Sequence, residues 1–203
     1  LPICIRVTHV ANQCGTSPGY HPAPYPEPVH GDGDGWVIAE SGAHYWGRHG
    51  AAGLLLRALR PDGRAAVLLQ HRAPWSHQGG TWALPGGARD SHETPEQAAV
   101  REAHEEAGLP AEHVRVRTSV VTAEVGSADG GPYWSYTTVI ADAPGLLETV
   151  PNRESSELRW VAEDEVADLP LHPGFAASWQ RLRAVVAAMP VLPDEVPPPA
   201  GQH

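Results

Sequence analysis

The chain has no lysine: all 14 of its basic residues are arginine, against 24 acidic residues and a formal net charge of −10. A surface of that sign is a poor partner for duplex nucleic acid, whose phosphates are neutralised by basic side chains, so no duplex partner is expected. Cysteine is nearly absent too. Cys4 and Cys14 both lie in the first 30 residues, away from any CxxC-type spacing, so neither a disulfide framework nor a zinc site is indicated. No apolar run reaches the roughly 18 residues of a membrane span, and no secretory leader is legible. The expectation is a cytoplasmic protein with no membrane contact.

What is present suits one domain. The chain has 203 residues, and 41% hydrophobic content is enough for a core. Proline gathers at the two ends. Residues 1–30 carry Pro2, Pro18, Pro22, Pro24, Pro26 and Pro28 with little periodicity, and residues 190–203 carry Pro190, Pro193, Pro197, Pro198 and Pro199. Both read as irregular extensions flanking a domain over 31–189. Gly31-Asp32-Gly33-Asp34-Gly35 lacks the spaced ligands and closing glutamate of a calcium loop and reads as a turn.

Within the domain, Trp36–Ala39 and His44–Trp46 are expected to form a hairpin. Ala51–Leu59 and Ala65–His71 are almost continuously apolar, the pattern of strands covered on both faces, with Pro61-Asp62-Gly63 turning between them. Residues 72–80 form a loop and Thr81–Pro85 a short extended piece. Strands are expected over Val114–Val125, Pro132–Ala143 and Leu158–Ala162, with loop at Gly126–Gly131 and a helical turn at Asp164–Ala167. A helix is expected over Phe175–Met189.

The richest stretch is 86–109. Thr94 caps a helix, Pro95 suits its first position, Gln97 completes a capping box, and Gly108 stops it. At about 100° per residue, Ala99, Val100, Ala103 and Ala107 share one face. Glu102, Glu105 and Glu106 share an adjoining arc. Three neighbouring carboxylates repel one another, and a hard divalent cation with oxygen ligands relieves that repulsion. Arg101 lies off the arc, where a returning loop can bring Glu93 to it as a brace.

Gly87, five residues, Glu93, seven residues and then Arg101-Glu102-Ala103-His104-Glu105-Glu106-Ala107-Gly108-Leu109 resembles the complete Nudix box. The order of elements over about 50–187 also resembles that family. The resemblance implies an α+β fold of α/β/α type, with a mixed sheet between helices. It implies hydrolysis of a nucleoside diphosphate linked to another moiety, with Mg²⁺ (or Mn²⁺) held by Glu102, Glu105, Glu106 and the Gly87 carbonyl. Glu105, Glu106, Arg101 and Glu93 are then the catalytic set. An accessory carboxylate is expected on the loop before the last strand, either Glu154 or Glu157, with Glu157 favoured. The stretch from Gly31 to Arg183 is similar to the actinobacterial MutT-type branch, which implies nucleotide contacts by Arg72, His77 and Leu84. His172 stands near where that branch places a base-reading amide; no asparagine does so here. An arginine of that branch is also missing beside Tyr133 and Trp134. The expected substrate is 8-oxo-dGTP or a related nucleoside triphosphate, giving monophosphate and pyrophosphate. The alternatives are ADP-ribose, a nucleotide sugar, a dinucleoside polyphosphate, or nucleotide sensing without catalysis. The expected assembly is a monomer or homodimer.

Overall fold

A computed structural model describes residues 31–39, 41–126 and 133–192. The proline-rich extension 1–30 lies outside them, as does the tail beyond 192 and most of the expected loop at Gly126–Gly131.

The chain opens with a hairpin of β1 (Trp36–Ile38) and β2 (His44–Trp46), paired antiparallel with Trp36 opposite Trp46. Seven more strands form one mixed sheet: β3 (Ala51–Leu59), β4 (Ala65–Arg72), β5 (Trp82–Ala83), β6 (Gly86–Ala88), β7 (Arg115–Val125), β8 (Trp134–Asp142) and β9 (Ser155–Ala162). Its spine runs β5-β4-β3-β8-β7, with β9 also on β4 and β6 also on β3. Among the strand pairs of the described residues, β3 with β8 is the parallel one. Two helices complete the domain, α1 (Pro95–Ala107) and α2 (Pro173–Ala187).

The apolar continuity of β3 and β4 is explained by helices on both sides. Successive side chains of a strand point to opposite faces. Leu54 and Leu56 therefore meet Ala98, Ala99, Ala103 and Ala107 of α1, while Leu55 meets Phe175, Trp179 and Leu182 of α2. Burying each such leucine contributes about 1.5–3 kcal/mol. The alanine face lets α1 lie close to the sheet, which fixes where its glutamates emerge.

One departure from regular pairing creates the site. β3 and β4 pair only over Arg57–Leu59 and then diverge. Ala51–Gly53 pairs instead with β6, while the far half of β4 pairs with β5 and β9. The segment 84–85 fills the fork, and Leu54 N donates to Pro85 O at 2.8 Å. The box thus enters at the fork and folds back under the sheet as α1.

The expected cap is present on α1. Gln97 N donates to Thr94 Oγ1 at 3.3 Å, Thr94 N donates to Gln97 Oε1 at 2.8 Å, and Gly108 adopts a left-handed φ of 67°. Val100 is a correction: it is only partly buried, and the inward face is Ala98, Ala99, Ala103, Glu106 and Ala107. The face is turned toward the glutamates, so one acid belongs to the buried side. Other boundaries shift as well. β9 starts at Ser155, not Leu158, and α2 starts at Pro173 under a His172 cap.

Arg57 is 1% exposed, in the middle of an apolar strand. It pairs with Asp142 at 2.9 Å and donates to the carbonyls of Val186 and Met189 at 3.2 and 2.9 Å. These bonds reach carbonyls in and just beyond the last turn of α2 and fasten that helix to the sheet.

Candidate functional site

The acids of α1 fall into three environments. Glu106 is 5% exposed, and its Oε2 accepts the Gly86 N–H at 2.8 Å. No arginine pairs with it among the described residues. Burial pushes its carboxyl up to about 8, with repulsion from Glu102 adding to the shift and the Gly86 bond opposing it. Glu102 accepts from Arg101 Nη1 at 2.8 Å, yet burial still pushes it up to about 7. Glu105 is the open one, with its carboxylate 3.7 Å from Arg101.

Arg101 is the hub of the loop. Its Nε and Nη2 donate to the two oxygens of Glu93 at 2.7 and 2.9 Å, and Nη2 also reaches Ala88 O at 2.9 Å. Glu93 in turn accepts Asp90 N at 3.0 Å. The Arg101 bond holds the Glu93 carboxyl below the usual range. Residues 88–93 are thereby tied to α1, and Gly87 is set against the arc. A methyl group on Gly87 would stand 2.6 Å from the Glu102 carboxyl carbon, so only glycine lets strand and acid approach this closely.

This donor set fits a hard divalent cation. It offers only oxygen ligands, two of its carboxyls, Glu102 and Glu106, are kept from comfortable ionisation by burial, and it lies beside a bare backbone. Gln70 adds a second sign. It is fully buried, donates to Ser155 Oγ at 2.7 Å and helps stabilise Glu106, but its own Oε1 has no donor. Among the described residues the three arc carboxylates do not all lie within 4.8 Å of one another, whereas a second group, Asp32, Asp90 and His92, brings three ligand atoms that close. Its oxygens already accept from Ser91 N, Ser91 Oγ and Gly33 N. It is better explained as the clasp between the 31–35 turn and the box loop. A shallow concavity on the outer side of α1 is lined by Val100, His104, Ala111 and Val116 together with Glu96, Gln97 and Arg101, and none of the three arc glutamates lines it.

Arg72, His77 and His172 come together at the other side of the fork. Arg72 Nε donates to His77 O at 3.0 Å, and among the described residues no carboxylate pairs with its guanidinium. The imidazoles of His77 and His172 lie 6.3 Å apart. Burial, then Arg72 and His77, push His172 down, which keeps it neutral. Its Nδ1 accepts Gly174 N at 3.1 Å, so its Nε2 carries the proton. Leu84 is 4% exposed and packs with Leu55, Phe175 and Trp179, as a core residue does.

The two accessory candidates separate. Glu157 stands opposite His71 and alternates with Leu158 and Trp160, which pack on the α1 side. It therefore emerges on the α2 side, where it pairs with Arg159 at 2.7 Å, and Arg159 in turn lies over the Trp82 ring. The structure does not bring Glu157 to the arc. Glu154, on the preceding loop, is near enough to Glu106 for its charge to raise that carboxyl. The loop is seated by Asn152 N on Glu106 O and Ala73 N on Glu154 O, at 3.2 and 2.9 Å. Asp34, from the turn before β1, likewise raises Glu102. Nothing in the spacing of the sequence ties Asp34 or Gln70 to the box, because both arrive through tertiary pairing.

Comparison with known proteins agrees with this geometry. A family model described as the NUDIX domain matches residues 47–182. A Mycobacterium tuberculosis protein provisionally named 8-oxo-dGTP diphosphatase 3 is 74% identical over 170 residues, 84% of this chain and 78% of its own. A nucleoside triphosphate pyrophosphatase/Nudix hydrolase fusion protein of Bifidobacterium longum is 42% identical over 165 residues, which cover 78% of this chain but 32% of that longer one. Among solved structures, a Nudix hydrolase of M. smegmatis, RenU, is 78% identical with a TM-score of 0.76, covering 79% of this chain and 99% of that one.

Proposed function

This chain belongs to the NUDIX family, and we propose that it hydrolyses a phosphoric anhydride bond of a nucleoside triphosphate, with 8-oxo-dGTP and related deoxynucleotides as the substrate class. The products are the nucleoside monophosphate and pyrophosphate. The observation that carries this reading is the pairing, across one fork of the sheet, of a partly buried acid arc with an arginine fork that has no carboxylate partner among the described residues. One suits cations and the other suits phosphate. The 74% identity to a protein named as an 8-oxo-dGTP diphosphatase supports the substrate class.

Glu102, Glu105, Glu106 and the Gly87 carbonyl would hold divalent metal, Mg²⁺ in this reading, with Glu154 as the accessory carboxylate in place of Glu157. When bound, such ions neutralise diphosphate oxygens and lower the pKa of a water. The chain's own groups do the rest. Arg72 grips phosphate with Nη1 and Nη2 and opposes the charge that develops on it. Arg101 fixes Glu102 and keeps Glu93 ionised, which holds the loop at the spacing the arc requires. Glu154, beside the raised carboxyl of Glu106, is placed to take a proton from the attacking water. Neutral His172 offers an Nε2–H, and His77 stands across from it, as polar contacts for the base or sugar, with Leu84 beneath. Among the described residues no helix is long and apolar enough to cross a membrane.

The test is a turnover panel with Mg²⁺: 8-oxo-dGTP, dGTP, dCTP, ADP-ribose, a nucleotide sugar and a diadenosine polyphosphate, with Glu106→Gln as blank and sedimentation to count subunits. Preference for 8-oxo-dGTP with pyrophosphate released is expected. Preference for ADP-ribose or another diphosphate would overturn the substrate class and leave the metal arc standing. Nucleotide binding without turnover of any compound would leave only a sensor.

A further inference from the structure

Tyr136, on β8, lies opposite Ala51 in the parallel pairing with β3. Its ring leans over Gly53. A methyl group on Gly53 would fall 2.0 Å from the phenolic oxygen and 3.3 Å from the Pro85 carbonyl. The phenol therefore ends at the fork, behind the Gly86 N–H that Glu106 accepts. Burial pushes its ionisation up, Glu106 and Glu102 push the same way, and Arg72 pulls back. The hydroxyl is thus within electrostatic reach of both the acid arc and the arginine fork.

Among the described residues no protein group bonds that hydroxyl, and its oxygen is not one of the side-chain atoms sealed from solvent without a partner, which are Gln70 Oε1, Glu163 Oε1 and Trp179 Nε1. The Pro85 carbonyl beside it is taken by Leu54 N. The neighbouring aromatic behaves differently: Trp134 Nε1 donates to Trp46 O at 2.8 Å. The phenolic oxygen of Tyr136 therefore still reaches solvent, and a ligand can take the hydrogen bond that water takes. Phenylalanine would fill the same space, so packing alone gives no reason for the oxygen. The residue as a whole keeps part of its surface open, which leaves an approach for a ligand.

We propose that Tyr136 Oη is a substrate-binding donor. It gives its hydrogen bond to a phosphate oxygen of the nucleotide, where the phosphate chain passes between Arg72 and the Glu102–Glu106 arc. Gly53 is part of the device, since its bare Cα makes room for the phenol. This inference rests on the reading of the protein as a nucleotide hydrolase.

Tyr136→Phe and wild type are compared by three measurements: steady-state turnover of the compound that wild type hydrolyses fastest in the panel, titration with 8-oxo-dGMP by calorimetry, and thermal melting. The expected result is a fall in kcat/KM of about 10- to 100-fold, the loss of a bond to a charged acceptor. Affinity for 8-oxo-dGMP falls with it, while the Tm stays level, because the hydroxyl makes no bond to the described protein. Kinetics and affinity within about twofold of wild type would overturn the proposal. So would a loss of activity accompanied by a lowered Tm, which would make the hydroxyl structural. If wild type turns over nothing, the hydrolase reading fails separately, and the 8-oxo-dGMP titration of the two proteins still decides for Tyr136. Absence of binding by both proteins would overturn it as well.

Discussion

Glu106→Gln should abolish turnover and, without metal, make the protein more stable. Glutamine keeps the volume of Glu106 and an oxygen for the Gly86 N–H (2.8 Å), but it carries no charge. In the wild type, burial pushes the folded carboxyl up to about 8, against about 4.3 in an unfolded chain. The sign follows from linkage. A carboxyl with a raised folded pKa binds its proton more tightly when folded, so its contribution is most favourable below the unfolded pKa. That contribution is lost as pH rises, until the folded pKa is passed. The loss is about 1.4 kcal/mol per pH unit, which amounts to roughly 3.5 kcal/mol by about pH 7. Glutamine escapes it. Urea unfolding in EDTA should therefore show the variant ahead by about 3–4 kcal/mol near neutral pH, and by about 1 kcal/mol at about pH 5. Saturating Mg²⁺ should stabilise the wild type more than the variant, since only binding to the folded state shifts the equilibrium. A variant that is less stable than wild type in EDTA at neutral pH would refute the idea of an uncompensated buried acid. Full turnover would refute the metal assignment.

Glu93→Gln should cost roughly 2 kcal/mol, a figure reduced for the partial exposure of Arg101. Because Arg101 holds Glu93 low, the stability it contributes is present above the unfolded pKa and lost as pH falls through the folded one. Urea melts should show a flatter acid arm in the variant, and an unchanged acid arm would mean the brace carries no stability. Arg72→Ala should raise KM about tenfold or more, as expected on losing a phosphate clamp, with the Tm almost unmoved. A large Tm loss with unaltered kinetics would make Arg72 structural. Glu154→Gln should lower kcat or weaken Mg²⁺ activation, whereas Glu157→Gln, which removes only an exposed pair worth about 0–1 kcal/mol, should remain near wild type. The reverse ranking would restore Glu157 as the accessory acid.

Local signals predicted local structure well. The strand Ala51–Leu59 has the bounds its apolar run suggested, and Thr94, Pro95, Gln97 and Gly108 bracket α1 as their chemistry requires. These features depend on neighbours within a turn or two. Gly86–Ala88 reads as loop in isolation, and it becomes a strand because β4 peels away and leaves Ala51–Gly53 an open edge. Val100 was misplaced for a related reason. A helical wheel gives the order of faces, but the tilt of α1 on the sheet chooses which one is inward, and here it takes in Glu106.

The same distinction divides the site. The arc Glu102, Glu105, Glu106 is visible because one helix carries it, and the Arg101–Glu93 brace because one short loop closes it. The choice between Glu154 and Glu157 depends on register instead. His71 pairs with Glu157, but Arg72 pairs with Ser155, so one residue of the partner strand is skipped at the end of β4. With a side-chain period of two, a slip of one residue reverses which face a residue occupies. Glu157 stays in phase with Arg159 and points to the α2 side, while the chain before the irregularity is released as a loop that carries Glu154 toward Glu106. Tyr136 obeys the same logic from the other side of the fork. Its phenol matters because Gly53 is two residues beyond its partner Ala51 on a parallel neighbour, a relation that exists only once β3 and β8 have aligned. Residues that bind the diphosphate's charge can be read from one segment; residues that fit around it are set by how the segments pair.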